Sequence, residues 1–123
     1  MRWLLHGTMT PAVADALRGR GDTLQDPAAV GVTPEASYAD VLNAAHKAQL
    51  DVLTSDARLA ESAFAEDAPK FGRSIVYLQL EGGDVEQDDA VDRLFERYKR
   101  LTPGRLYTVT GSRVKVRQLP GRI

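Results

Sequence analysis

Apolar residues recur along this chain in two rhythms, short unbroken runs and longer stretches where they return every three or four positions. The runs are Trp3-Leu4-Leu5, Val52-Leu53-Thr54 and Ser74-Ile75-Val76-Tyr77-Leu78-Gln79-Leu80, the last with the continuous apolar character of a strand covered on both faces. Between them Val13, Ala16 and Leu17, then Val41, Leu42, Ala45 and Ala48, then Leu59, Ala60, Ala63 and Phe64, and finally Val91, Leu94, Phe95, Tyr98 and Leu101 mark one face of a helix each. Boundary residues agree with this division. Thr10-Pro11 opens the first helix and Gly19 and Gly21 stop it, while Ser37 and Asp40 form a capping box with Asp in place of Glu. Asp84 and Gln87 repeat the capping pattern after the Gly82-Gly83 break, and Thr102-Pro103-Gly104 ends the last helix. Asp22 to Gln25 predicts a short second strand, and the segment 26–36, with Pro27, Gly31 and Pro34, predicts a loop.

The chain closes on two alternating runs, 106–110 and 113–117, around Gly111-Ser112, which predicts a hairpin with a type II′ turn. Val114 and Val116 face one way, and Arg113, Lys115 and Arg117 form a basic stripe on the other. The order β-α-β-α-β-α-β-α followed by a hairpin predicts a three-layer α/β/α fold with a mostly parallel central sheet. A single domain is expected over 1–123, with the α/β core in 1–104 and the basic hairpin in 105–123.

Composition narrows the class. A chain of 123 residues with 43% hydrophobic and 27% charged positions can bury a core of its own and is neither disordered nor membranous. No apolar run approaches the roughly 20 residues of a spanning helix, and the start MRWLLHGTMTP has too short an apolar stretch for an export signal. The absence of cysteine rules out disulfides and thiolate metal sites, and a cytoplasmic location is expected. Net charge is −1, but eight of the 16 Lys and Arg and none of the 17 acids follow Glu96. The last 27 residues therefore carry +8 and residues 1–96 carry −9. Such asymmetry points to a polyanion or an acidic partner for the tail, beside the plain alternative that Lys and Arg guard a strand edge.

Candidate chemistry gathers where the third strand ends. In open α/β sheets ligands bind outside the carboxyl ends of strands, and Asp56 lies just past Val52-Leu53-Thr54, with Ser55 between. The same carboxylate also suits the N-cap of the following helix. His6, at the end of the first strand, is either a hydrogen-bonded histidine or a ligand for a transition metal. The seven acids from Glu81 to Glu96 read as a loop and a solvated helix face.

Taken together, the first strand, HGTMTP, the Gly31-Val32 loop, SYADVLNAA, DVLTSD and SIVYLQL resemble a PIN-like domain, nearest to short bacterial proteins related to toxin–antitoxin ribonucleases. The resemblance covers about the first two thirds of the chain. It rests on Thr10-Pro11, on Asp40 in Tyr38-Ala39-Asp40-Val41-Leu42 and on Thr54-Ser55-Asp56, which matches the family's Thr-x-Asp. It implies a divalent-metal-dependent endoribonuclease with Mg²⁺ or Mn²⁺ held by Asp40, Asp56 and His6. Thr54, Ser55 and Thr8 would position water or phosphate, and Arg113, Lys115 and Arg117 would hold the RNA backbone or an antitoxin. A homodimer is compatible with it. Two departures leave the acidic site incomplete, because His6 stands where the family has an acid after strand 1, and Arg58 where it often has a further acid. The alternative is a catalytically inactive PIN-like module that binds RNA or a partner protein through the hairpin. A response-regulator receiver also places an aspartate after strand 3, but it needs an acidic pair after strand 1 and a final helix, both missing from this pattern.

Overall fold

The computed structural model describes residues 1–7, 11–69, 71–80 and 84–120. Thr8 and Thr10, the Gly82-Gly83 break, Arg122 and the side chain of Asp84 lie outside the described residues. The strands are β1 (Arg2–His6), β2 (Thr23–Gln25), β3 (Asp51–Thr54), β4 (Ile75–Leu78), β5 (Arg105–Val109) and β6 (Val114–Gln118). The helices are α1 (Pro11–Gly19), α2 (Tyr38–Ala48), α3 (Ala57–Ser62) and α4 (Asp84–Arg97). All six strands form one sheet in the order β2-β1-β3-β4-β5-β6, parallel throughout except for the antiparallel β5–β6 hairpin. The expected α/β/α architecture with a mostly parallel sheet and a C-terminal hairpin is the one observed.

Alternation along each strand divides the core into two layers. Leu4, Val52, Ile75 and Leu106 point to one face and pack on Val41, Leu42 and Ala45 of α2 and Leu59 and Ala60 of α3. Trp3, Leu53, Val76, Tyr107 and Val109 point to the other, against Val13 and Leu17 of α1 and Ala90, Val91, Leu94 and Phe95 of α4. Strands β1 and β3 are buried on both faces, which is why their apolar runs are unbroken.

Local chemistry departs from the sequence reading at four places. Helix α4 ends at Arg97, ahead of Tyr98 and Leu101 and of the expected Thr102-Pro103-Gly104 stop. The segment 26–36 holds a 3₁₀ turn, Pro27–Val30, capped by Asp26, whose carboxylate accepts from Ala28 N at 3.0 Å. Helix α3 stops at Ser62, two residues before Phe64, because the Ser62 hydroxyl donates back to Leu59 O (2.7 Å) and the next bonds tighten to an i−3 spacing at Phe64 and Ala65. The hairpin turn is not type II′. Gly111 does not adopt the positive φ that such a turn requires, and Thr110 organises the bend instead, its Oγ1 accepting from Arg113 N at 3.2 Å and Ser112 N at 3.4 Å. The alternation expected for the hairpin holds, with Val114 and Val116 against the α1/α4 layer and Arg113, Lys115 and Arg117 exposed.

Helix α2 ends on Gln49, a non-glycine residue in the left-handed region (φ 58°), so that its N–H can reach Ala45 O and His46 O. A side chain there costs conformational energy that glycine avoids. Gln49 is exposed and makes no other structural contribution through its side chain. Gln49→Gly is expected to raise the unfolding free energy by about 0.5–1 kcal/mol in chemical denaturation. A loss of stability would show that the side chain does more than terminate the helix.

Candidate functional site

The strand register builds the site. Leu4, Val52, Ile75, Leu106 and Arg117 are Cα partners across five strands, and two residues further along His6, Thr54, Tyr77, Thr108 and Lys115 form the next rung on the same face. The first rung is apolar until its last member, and the second is polar throughout. This polar rung marks the carboxyl end of the parallel strands, where α2 and α3 no longer cover the sheet fully. The chain leaves β1 for β2 on one side and reaches β3 on the other, so the topological switch point lies between His6 and Thr54.

At that point Thr54 is wholly buried, and among the described residues its hydroxyl has two partners. Oγ1 accepts from the backbone N of Asp56 at 2.9 Å and lies 2.9 Å from His6 Nδ1. The oxygen has two lone pairs and could also accept from Nδ1–H, but the buried hydroxyl would then keep its own hydrogen with no acceptor among the described residues; donation to Nδ1 satisfies it and places the proton of neutral His6 on Nε2, on the ring edge away from Thr54. Burial lowers the pKa of His6 below 6.5, and the negative charge of Asp56 offsets part of that. Asp56 is the N-cap of α3, its Oδ1 accepting from Arg58 N at 2.9 Å, as the capping alternative expected. Its Oδ2 accepts from the hydroxyl of Tyr38 at 2.9 Å. That hydrogen bond, reinforced by desolvation, raises the pKa of Tyr38 and keeps the phenol protonated. The Tyr38 ring stands edge-on to His6, with centroids 6.3 Å apart.

Gly7 lets β1 reach this junction. Its φ is 87°, and a Cβ there would lie 2.6 Å from Ser55 Oγ, while Ser55 N donates to His6 O at 3.3 Å. The loops after β1 and β3 therefore run close against each other; the Ser55 hydroxyl could rotate away from a Cβ, but the left-handed φ is what favours glycine here.

Two cavities flank the Ser55-Asp56 peptide. On the α2 side a cleft of about 510 Å³ is lined by His6 and Asp56, by Asp26 and Thr33, and by apolar walls that include Pro27, Val32, Pro34 and Val41. On the hairpin side a groove of about 700 Å³ is lined by Ser55, Tyr77 to Leu80, Thr110, Arg113 and Lys115. The structure thus brings His6, Thr54, Ser55 and Asp56 together and places Arg113 and Lys115 beside them.

Asp40 and Arg117 are placed elsewhere. Asp40 is exposed and is not part of the cleft wall; positions two apart on a helix face apart, and Tyr38 is the one turned toward Asp56. Its backbone N donates to the Ser37 hydroxyl, the capping contact expected from sequence. Arg117 stacks over Phe64 at 3.9 Å and pairs with Glu61 at 3.1 Å, so it clasps the hairpin to the end of α3. Tyr38 escaped the sequence reading because an aromatic residue in a first helical turn looks like ordinary packing, although its position right after Ser37 is the only signal available.

The donor set does not suit a resident Mg²⁺ or Mn²⁺ at this junction. Such ions need several oxygen ligands, whereas Asp56 already accepts hydrogen bonds on both oxygens, the His6 Nδ1 is engaged, and Asp26 in the same cleft caps the 3₁₀ turn and does not complete a group of ligand atoms close enough to share an ion. Among the described residues the group close enough to share an ion is Asp88, Asp89 and Asp92 on α4, with ligand atoms within 4.8 Å of one another. No described helix is long and apolar enough to cross a membrane. Comparison with protein-family models, curated proteins and solved structures finds no match.

The lowered pKa of His6 has a defined consequence. Because the folded value lies below the unfolded one, the stability tied to a neutral ring is fully present above pH 6.5 and is lost as pH falls through the folded value. Ring-proton NMR is expected to give a midpoint below 6.5, and Asp56→Asn, which removes the opposing charge, is expected to move it lower. A midpoint at or above 6.5 would contradict this arrangement.

Proposed function

We propose that this chain is a PIN-like α/β module that holds single-stranded RNA by its phosphate backbone and does not cleave it. The observation that carries the reading is the groove in which Arg113 and Lys115 stand with the Ser55 and Thr110 side chains at the carboxyl end of the sheet. Cations with hydroxyl groups between them are suited to phosphate oxygens, which position a strand without reading its sequence. The resemblance to PIN-like ribonucleases supports RNA as the polyanion, and the single carboxylate of the adjacent junction argues for binding over hydrolysis, since the family's metal chemistry draws on several clustered acids.

The fold also divides the +8 tail. Arg117 is committed to Glu61 and Phe64, and Lys99 and Arg100 line a separate cavity at the amino ends of the strands with Arg20 and Arg73. Two cations, not the whole tail, therefore define the groove.

Replacing Arg113 and Lys115 together by alanine is expected to weaken binding of a single-stranded RNA and to reduce the slope of log K against log salt by at most about 1.4 units. Arg117→Ala is expected to leave that slope unchanged. Equal salt slopes for the double variant and the natural chain would refute the groove. Cleavage of the RNA in Mg²⁺ or Mn²⁺ that Asp56→Asn abolishes would restore the ribonuclease reading. A co-purifying protein retained after ribonuclease digestion would redirect the groove to an acidic partner such as an antitoxin.

A further inference from the structure

The cleft beside His6 and the basic groove share one peptide. Ser55 lines the groove and Asp56, the next residue, lines the cleft, so a ligand bound in one reaches the other across a single backbone step. Their chemistry differs sharply. The groove is cationic, whereas the cleft has prolines and aliphatic side chains for walls and two carboxylates, Asp26 and Asp56, among its polar groups. Among its described lining residues the cleft has two carboxylates and no lysine or arginine to answer an anionic group, the Arg58 guanidinium lying outside the lining, against the Tyr38 hydroxyl. The cleft therefore suits a neutral body with apolar faces and N–H donors on its edge. Apolar walls with a few convergent polar groups are the usual make-up of a small-ligand site.

We infer that the cleft is a nucleobase pocket, and that a bound nucleotide straddles Ser55-Asp56 with its base beside His6 and Asp56 and its phosphate in the groove of Arg113 and Lys115. This inference rests on the backbone-binding reading of the groove and adds to it a base-dependent contact. The two polar side chains are matched to a base edge, where donor and acceptor positions lie next to each other. Asp56 is an acceptor only; each of its oxygens takes one hydrogen bond within the protein and keeps a further lone pair. His6 is a donor through Nε2, because the Thr54 hydroxyl occupies Nδ1. Asp56 takes a base amino or imino hydrogen, and His6 donates to the neighbouring ring nitrogen or carbonyl oxygen. Tyr38 fixes the Asp56 carboxylate and supplies an aromatic edge next to the imidazole. The pocket thus gives the end of β1 a use for a histidine that a hard-metal site would not have.

The test compares a short single-stranded RNA with an abasic oligomer of the same length, both measured by fluorescence anisotropy at one salt concentration. The RNA is expected to bind about tenfold more tightly, the gain of two hydrogen bonds and the enclosed base. His6→Ala and Asp56→Asn are each expected to bring the ratio of RNA affinity to abasic affinity down toward one, whatever shift the two oligomers share. Asparagine caps a helix as well as aspartate does, so Asp56→Asn keeps α3 in place, and thermal melting verifies both variants. Equal affinity of the natural protein for RNA and abasic oligomer overturns the base pocket and leaves the groove standing. Failure of both oligomers to bind overturns the groove and the pocket together. Variants that weaken RNA and abasic binding alike overturn the pocket, since they would act on the scaffold of the groove and not on a base.

Discussion

The Thr54 hydroxyl has no exposed surface, and its two hydrogen bonds join everything that meets at the carboxyl end of the sheet. One goes to the side chain that ends β1, and the other comes from the amide that begins the α3 cap. A buried hydroxyl must be satisfied or it costs about 1–3 kcal/mol. That requirement fixes the imidazole tautomer, the approach of the β1 and β3 loops and, through the Asp56 amide, the direction in which the capping carboxylate points. Tyr38 closes the arrangement from α2, so three elements distant in sequence are held by side-chain hydrogen bonds of 2.9 Å.

The consequence reaches across the sheet by register. Because Thr54 sits on the rung of His6, Tyr77, Thr108 and Lys115, a one-residue slip of any of these strands would turn its member of the polar row into the apolar layer against α1 and α4. The neighbouring apolar rung pins the register, and its edge member, Arg117, covers Phe64 with its guanidinium and so ends an apolar row without exposing it. Site and core are thus two successive rungs of one ladder, and the same alternation that buries Leu4 and Val52 presents His6 and Thr54.

Much of this was legible in the chain. Unbroken apolar runs reported β3 and β4, and the Ser37 cap, the α2 stripe and the alternation around Val114 and Val116 reported local geometry that depends on neighbours one to four residues away. Asp56 and Ser55 were legible as well, because their position after a buried run is itself a sequence feature. What sequence could not supply were choices made by contacts distant along the chain. Asp40 and Tyr38 lie in the same helical turn, and only the placement of α2 against β3 decides which of them meets Asp56. The basic stripe read as a unit, yet Phe64 and Glu61, more than fifty residues earlier, withdraw Arg117 from it. Gly111-Ser112 suggested a glycine-driven turn, but the Thr110 side chain was the stronger local partner.

A histidine, and not an acid, ends β1, and this sets the balance of charge at the junction. An acid at that position would stand with Asp56 and Asp26 around one cleft and add to the repulsion of a phosphate unless a cation stood among them. A neutral imidazole avoids that addition. On that proposal Arg113 and Lys115 attract the backbone directly, while Asp56 is stabilised by the α3 amide and the Tyr38 hydroxyl, with Arg58 against the same phenol. On the reading proposed here, the histidine at the end of β1 and the basic hairpin act together: the site meets phosphate with side chains and needs no ion between the two.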